Sequence, residues 1–243
     1  MNKKRLIDFH AHILPGVDHG CADIETSLFM IERAREIGIT DIVATPHYYF
    51  HCDPIDDFLK RRDEGYDLLT STLASLGIDD IKITLAAEVS LEPDMINELS
   101  PRKLRALSIA GTDYMLTEMP LFDSGWSNRI YDALCELESR HKIIPIIAHI
   151  ERYAKNHSEN LISQGYIAQV NADLYASGIF GRSQFSNLVK NDAVHLIGSD
   201  LHDPTERNYD NFKKLVTKLS PKTLDYFCDN ASRILENKRL FYD

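Results

Sequence analysis

Seven short apolar runs alternate with helical stretches from one end of this 243-residue chain to the other, and that alternation leaves few folds open. The strand-like runs are Leu6–His10, Asp41–Thr45, Ile81–Ala87, Tyr114–Thr117, Ile143–Ala148, Ile167–Asn171 and Val194–Gly198. Between them the spacing predicts helices over Ile24–Ile37, Ile55–Leu76, Pro93–Leu99, Asn128–Arg140, Ser158–Gln164 and Ser183–Lys190. Three more, Tyr209–Leu219, Lys222–Cys228 and Ala231–Glu236, finish the chain. Gly38 and Gly77 follow the first two helices, where a residue free to turn left-handed ends a helix. Strands joined through helices run parallel, because each crossover returns the chain to the same end of the sheet. Seven such units without an obvious linker predict an α/β chain, one domain over residues 1–243, closed or nearly closed into a barrel.

Five histidines and four acids stand where those strands end. L-I-D-F-H-A-H carries His10 and His12, A-T-P-H carries His47, L-A-A-E carries Glu88, and Y-M-L-T-E carries Glu118. P-I-I-A-H carries His149, and L-I-G-S-D-L-H carries Asp200 and His202; Asp18 lies in the loop after the first strand. The sixth strand ends in Asn171, an amide able to support a ligand. Side chains at the carboxyl ends of parallel strands face one mouth, where barrel active sites sit. Residues two apart on an extended chain point the same way, so His10 and His12 can grip one ion. Asp200 and His202 repeat that spacing on the last strand, which closes next to the first in a barrel. Mixed imidazole and carboxylate ligands without a thiolate suit zinc, manganese or iron. The chain reads as a metal-dependent hydrolase.

Composition narrows the partners. Apolar content of 44% and charged content of 26% are those of an ordinary globular protein. A net charge of −10 argues against nucleic acid as the main partner. Carboxylates that bind divalent ions can still leave an electropositive cleft, so a phosphorylated substrate stays compatible. Cys21, Cys52, Cys135 and Cys228 are widely spaced, which suits reduced thiols in the cytoplasm. The opening M-N-K-K-R has the look of a secretory n-region, but I-D-F-H-A-H puts charges where the apolar region would follow. No apolar run approaches the ~18 residues of a membrane span. A cytoplasmic protein without direct membrane insertion is expected, and no apolar stripe calls for an oligomer.

I-D-F-H-A-H-I-L-P-G-V-D, A-T-P-H, A-A-E, L-T-E, I-I-A-H-I-E-R-Y and I-G-S-D-L-H occur here in the order and spacing of the polymerase-and-histidinol-phosphatase superfamily. Within it, from Leu6 to about Leu235, the chain resembles the bacterial protein-tyrosine phosphatases that accompany capsule and exopolysaccharide synthesis. P-I-I-A-H-I-E-R-Y, V-N-A and N-A-S-R-I carry more of that likeness than the H-x-H that many hydrolases share. The resemblance implies a distorted seven-stranded (β/α)7 TIM-like barrel and three divalent metal ions, most often manganese, with iron or zinc as alternatives. It implies His10, His12, Glu88 and Asp200 on one ion, and Glu88 bridging to a second held by Glu118 and His149. Asp18, His47 and His202 would hold the third, and Arg152 would bind substrate phosphate. Its substrate would be a tyrosine-phosphorylated protein, such as a bacterial tyrosine kinase with a flexible, tyrosine-rich tail. The first loop reads G-V-D-H-G where the family has G-V-D-D-G, so His19 is a departure beside a retained Asp18.

The expected chemistry is in-line attack by metal-activated hydroxide on phosphotyrosine, with no covalent phospho-enzyme. Ions roughly 3.5–4 Å apart can hold a bridging hydroxide and neutralise phosphoryl oxygens, and one arginine's planar fork matches two of those oxygens. A cysteine nucleophile fails on spacing: Cys135 and Cys228 precede Arg140 and Arg233 with only four residues between, and both lie in predicted helices. Histidinol-phosphate phosphatase is the alternative enzyme, and a catalytically silent binding barrel the alternative outside enzymes. His19, His51, His141, His157 and His195 match no ligand position and are expected on the surface or in the core. His51, Tyr48 and Tyr49 are candidates to line the mouth. Trp126 and Phe122 are candidates either to embrace a substrate ring or to anchor their loop.

Overall fold

The computed structural model describes residues 5–203 and 209–240. The basic opening Met1–Lys4 lies outside the described residues. All strand pairs are parallel, as helical crossovers require. The seven expected strands become nine segments. β1 (Ile7–Ala11), β2 (Asp41–Ala44) and β4 (Lys82–Leu85) form one sheet in the order β1-β2-β4. β3 (His47–Tyr48), β5 (Glu88–Ser90), β6 (Tyr114–Glu118), β7 (Ile144–Ile147), β8 (Ile167–Asn171) and β9 (Leu196–Gly198) form the other, in that order.

The second and third expected strands end at Ala44 and Leu85, and each is followed, after a two-residue break, by a short further strand that the spacing did not predict, β3 and β5. Pro46, between β2 and β3, has no N–H for a ladder, and its carbonyl accepts from Glu88 N at 3.0 Å instead. Ala86 and Ala87 make the matching break between β4 and β5. β2 and β4 join β1 in one sheet while β3 and β5 lead on to β6 in the other, so the array curls. At its far edge Ala11 bridges Leu201 in parallel, and Asp200 N donates to His10 O at 2.7 Å.

Helices α1 (Ile24–Ile37), α2 (Ile55–Ser75), α3 (Pro93–Glu98), α5 (Asn128–Ser139) and α9 (Tyr209–Lys218) lie where the spacing predicts, within a residue or two. Helices α6 (Lys155–Ser163) and α8 (Ile179–Lys190) start earlier than expected, and α4 (Pro101–Ala106) and α7 (Ala172–Ala176) are short additions. The two expected terminal helices are one, α10 (Pro221–Leu235). Asp229 and Asn230 do not interrupt it, and Asn230 Nδ2 donates to His195 O at 3.1 Å. Gly38 ends α1 at φ 91°, its N–H returning to Ala34 O and Arg35 O. The larger apolar core packs helices on strands through Ile31, Phe58, Leu69, Leu134 and Phe212. A smaller cluster takes Ile7, Phe9, Val43, Leu116, Ile146 and Leu196 from successive strands. Burying such side chains stabilises the fold by ~1.5–3 kcal/mol each.

Candidate metal centre

His10 is the penultimate residue of β1 and His12 follows the strand, with both rings turned to one side and their Nε2 atoms 3.1 Å apart. His47 and Glu88 open β3 and β5 as register neighbours, because both strands break at the same level. Glu118 ends β6, and His149 and Asp200 stand two residues beyond β7 and β9. Those two are non-glycine residues at positive φ, 31° and 50°, a conformation that persists only where the surroundings enforce it. His10, His12, Glu88, Glu118, His149 and Asp200 are all buried.

Three overlapping groups among the described residues could each hold an ion: His10, His12, Glu88 and Asp200; His12, His47 and His202; and His47, Glu88 and Glu118. His149 Nε2 lies 2.7 Å from Glu88 Oε1 and 3.5 Å from Glu118 Oε1. Asp18, which the resemblance puts with His47 and His202, accepts from His12 Nδ1 at 2.7 Å and from His47 N at 2.9 Å. Gly20 allows that turn, since a Cβ there would come within 2.5 Å of His12 O.

Glu88 Oε2 tests whether a cation fits. It stands 3.0 Å from His47 Nδ1, 3.2 Å from His10 Nε2 and 3.3 Å from His12 Nε2, yet forms no well-aligned hydrogen bond. His47 Nε2 likewise faces His202 Nε2 at 3.1 Å. Ligand atoms ~2.1 Å from one ion, at octahedral or tetrahedral angles, stand roughly 3.0–3.4 Å from each other. Protonation tells the same story. Burial works against charge at His12, but Asp18, Asp200 and Glu88 outweigh it and raise its pKa well above the usual value. His149 is raised to about 9, with bonds to Glu118 and Glu88 overcoming burial. Glu88 and Asp200 are held well below the carboxylate range despite burial, chiefly by His10 and His12. His202 is pushed down to about 3 by burial and by His12. Buried carboxylates that draw protons onto neighbouring imidazoles present the donor set a divalent cation requires.

Arg152 reaches over the centre and pairs with Asp200 Oδ2 rather than with its neighbour Glu151. It lines a mouth of about 350 Å³ with His19, Tyr49, Glu118, Leu121 and His202. His19, expected at the surface or in the core, stacks on His47 at 4.8 Å and on His202 at 4.7 Å between centroids. Tyr49 stacks on the outer side of His47. Tyr48 does not line the mouth, because alternation along β3 turns it inward against Phe58. His51 is also outside the lining and pairs with Glu92. Trp126 anchors its loop, donating to Pro120 O at 2.7 Å and stacking on His157, while Phe122 stays 78% exposed. Cys135 and Cys228 lie within α5 and α10, and the four cysteines are free.

Two supports escaped the sequence reading. Asp8 receives Ser199 N and Oγ at 2.8 and 2.6 Å, tying the base of β1 to the end of β9. Gln169 bonds His149 N and Asn171. Two amides at i and i+2 in the otherwise apolar I-A-Q-V-N were the available signal, since such positions share one face.

Residues 6–236 match the family described as capsular polysaccharide synthesis, CpsB/CapC. The chain belongs to this CpsB/CapC family. It is 30% identical to the tyrosine-protein phosphatase YwqE of Bacillus subtilis, over 97% of this chain and 94% of that one. It is 25% identical to the tyrosine-protein phosphatase CpsB of Streptococcus agalactiae, over 96% and 99% respectively. A solved structure described with YwqE from Bacillus subtilis and CpsB from Streptococcus pneumoniae, metal-dependent tyrosine phosphatases, superposes at a TM-score of 0.83. It shares 24% identity and covers 98% of this chain and 97% of that chain. The curled, parallel α/β arrangement is therefore that of a CpsB/CapC protein. Among the described residues, no helix is long and apolar enough to cross a membrane.

Proposed function

We propose that this CpsB/CapC chain is a metal-dependent protein-tyrosine phosphatase. The observation that carries the reading is the convergence of three imidazole nitrogens on Glu88 Oε2, beside Arg152, in a chain that matches a tyrosine-protein phosphatase over 97% of its residues. The seven strand positions act as one distorted barrel in a single domain, with the β1–Leu201 bridge closing it. His10, His12, Glu88 and Asp200 would hold one ion; Glu88, Glu118 and His149 a second; Asp18, His47 and His202 a third, manganese being preferred to iron or zinc. Bound divalent ions supply a hydroxide nucleophile at neutral pH and charge neutralisation for the phosphoryl group.

The protein's own residues do the rest. Arg152 offers a planar fork to two phosphate oxygens, exchanging part of its pairing with Asp200 for substrate. Tyr49, Leu121 and His19 wall a mouth wide enough for a phenyl ring carried on a flexible peptide. Phenolate is a good leaving group, so little acid assistance is needed. The physiological substrate is a bacterial tyrosine kinase with a tyrosine-rich tail, dephosphorylated in the cytoplasm during capsule or exopolysaccharide synthesis. The reading is tested by kcat/KM of metal-stripped, manganese-reconstituted enzyme on a phosphotyrosine peptide and on histidinol phosphate. Preference for the peptide, lost on metal removal, is expected; preference for histidinol phosphate would keep the centre and replace the substrate.

A further inference from the structure

Among the described residues β8 contributes no candidate ligand, yet its two amides touch three of them. Gln169 Oε1 accepts from His149 N at 2.7 Å and faces His10 Nδ1 at 3.3 Å. Gln169 Nε2 donates to Asn171 Oδ1 at 2.8 Å, and Asn171 Nδ2 donates to Asp200 Oδ2 at 2.9 Å. Gln169 and Asn171 are both buried. The orientation of this chain of amides follows from its first member. A backbone N–H can only donate, so the Gln169 atom facing His149 N is the oxygen. Its NH₂ then points at Asn171, whose oxygen must face it, and the Asn171 NH₂ is left for Asp200. At the other branch, an imidazole nitrogen facing a carbonyl oxygen must carry the proton, which leaves the lone pair of His10 on Nε2. That nitrogen faces His12 Nε2 at 3.1 Å and Glu88 Oε2 at 3.2 Å.

We infer that Gln169 and Asn171 are positioning residues that set the tautomer of His10 and the rotation of Asp200, and so tune the affinity of the metal centre. The inference rests on the metal-binding reading above. Geometry around the pair supports a dedicated role. The positive φ of both His149 and Asp200 is clamped from this side, His149 through its N–H to Gln169 and Asp200 through its carboxylate to Asn171. Gly198, on β9, makes room: a Cβ there would stand 2.5 Å from His10 Cβ and 2.8 Å from Gln169 Nε2. Ligating histidines with such partners bind through a fixed nitrogen, and loss of the partner commonly weakens affinity about 10- to 100-fold.

The test uses the full chain, stripped of metal and titrated with Mn²⁺ by calorimetry, for wild type, Gln169→Met and Asn171→Ala. Both variants are expected to bind with unchanged stoichiometry and at least ~10-fold weaker affinity, with far-UV circular dichroism unchanged. Asn171→Ala removes the bond to Asp200 and the acceptor of Gln169 Nε2 but keeps Gln169 Oε1 on His149 N and His10, so it decides the matter should Gln169→Met fold poorly. Zinc-loaded wild type should show, by ¹⁵N ring correlation spectra, His10 protonated at Nδ1 and metal-shifted at Nε2. Coordination of His10 through Nδ1, or variant affinities equal to wild type, would overturn the role of the pair while leaving the metal centre intact. Wild type that binds no Mn²⁺ or Zn²⁺ would overturn both readings together.

Discussion

Glu88 has imidazole nitrogens on both of its oxygens: His149 Nε2 at 2.7 Å on one, and His10, His12 and His47 within 3.3 Å of the other. Its charge, rather than its shape, is what ions on either side would share. Glu88→Gln should therefore lower kcat/KM on a phosphotyrosine peptide by ~100-fold or more, and residual activity above a few per cent would exclude a bridging role. Arg152 differs, because the forked geometry of its guanidinium matters as well as its charge. Arg152→Lys retains the charge and should still lose on the order of tenfold in kcat/KM, mainly through KM; an unchanged KM would remove Arg152 from the phosphate. Glu88 was legible in the sequence because it closes the apolar run L-A-A-E, and Arg152 only through the family resemblance of I-I-A-H-I-E-R-Y. Gln169 and Asp8 were less so, since a buried amide or acid announces itself only through the partner that satisfies it.

Elements obey local rules more closely than the residues between them. Asp23 caps α1, accepting from Thr26 N at 2.8 Å, and lies in an exposed turn away from the centre. Asp23→Ala should destabilise the fold modestly, read as a lower urea midpoint with manganese-dependent activity retained at permissive concentrations. Wild-type stability would show the cap to be dispensable. Helix ends at Gly38 and Gly77 follow from the same local chemistry and were readable in advance. The breaks at Pro46 and at Ala86–Ala87 were not, although they bring His47 and Glu88 to one level. A strand break is decided by which neighbour it pairs with on each side, and pairing is not a local property.

At the scale of the molecule, stability should follow both pH and metal. His195, at the start of the last strand, is pushed down to about 4 by burial, so it is neutral in the folded protein. The unfolded chain takes up a proton as pH falls below ~6.5, which favours unfolding. Its contribution is therefore present above pH ~6.5 and is lost progressively down to about 4, on the order of 1–3 kcal/mol in all. His195→Gln should flatten that part of the Tm-against-pH curve, whatever its effect at neutral pH; an identical slope would sink the assignment. Metal acts in the opposite sense. Manganese at ~100 times its Kd should add roughly 2.7 kcal/mol to wild type, seen as a higher Tm that chelation reverses. Glu88→Gln should lose most of that rise.

The order of strands and helices, the parallel sense of the sheets and nearly every candidate ligand could be read from the sequence, because period and strand-end chemistry are local. The return of the last strand beside the first, which brings Asp200 and His202 to His10 and His12, was expected as well, but the division of the strands into two sheets was not. Nor could the turning of Tyr48 inward, the stacking of His19 over the centre, or the place of Gln169 behind His10 and His149 be read in advance. Each of these depends on which surfaces meet once the sheets curl, and only the tertiary structure sets those distances.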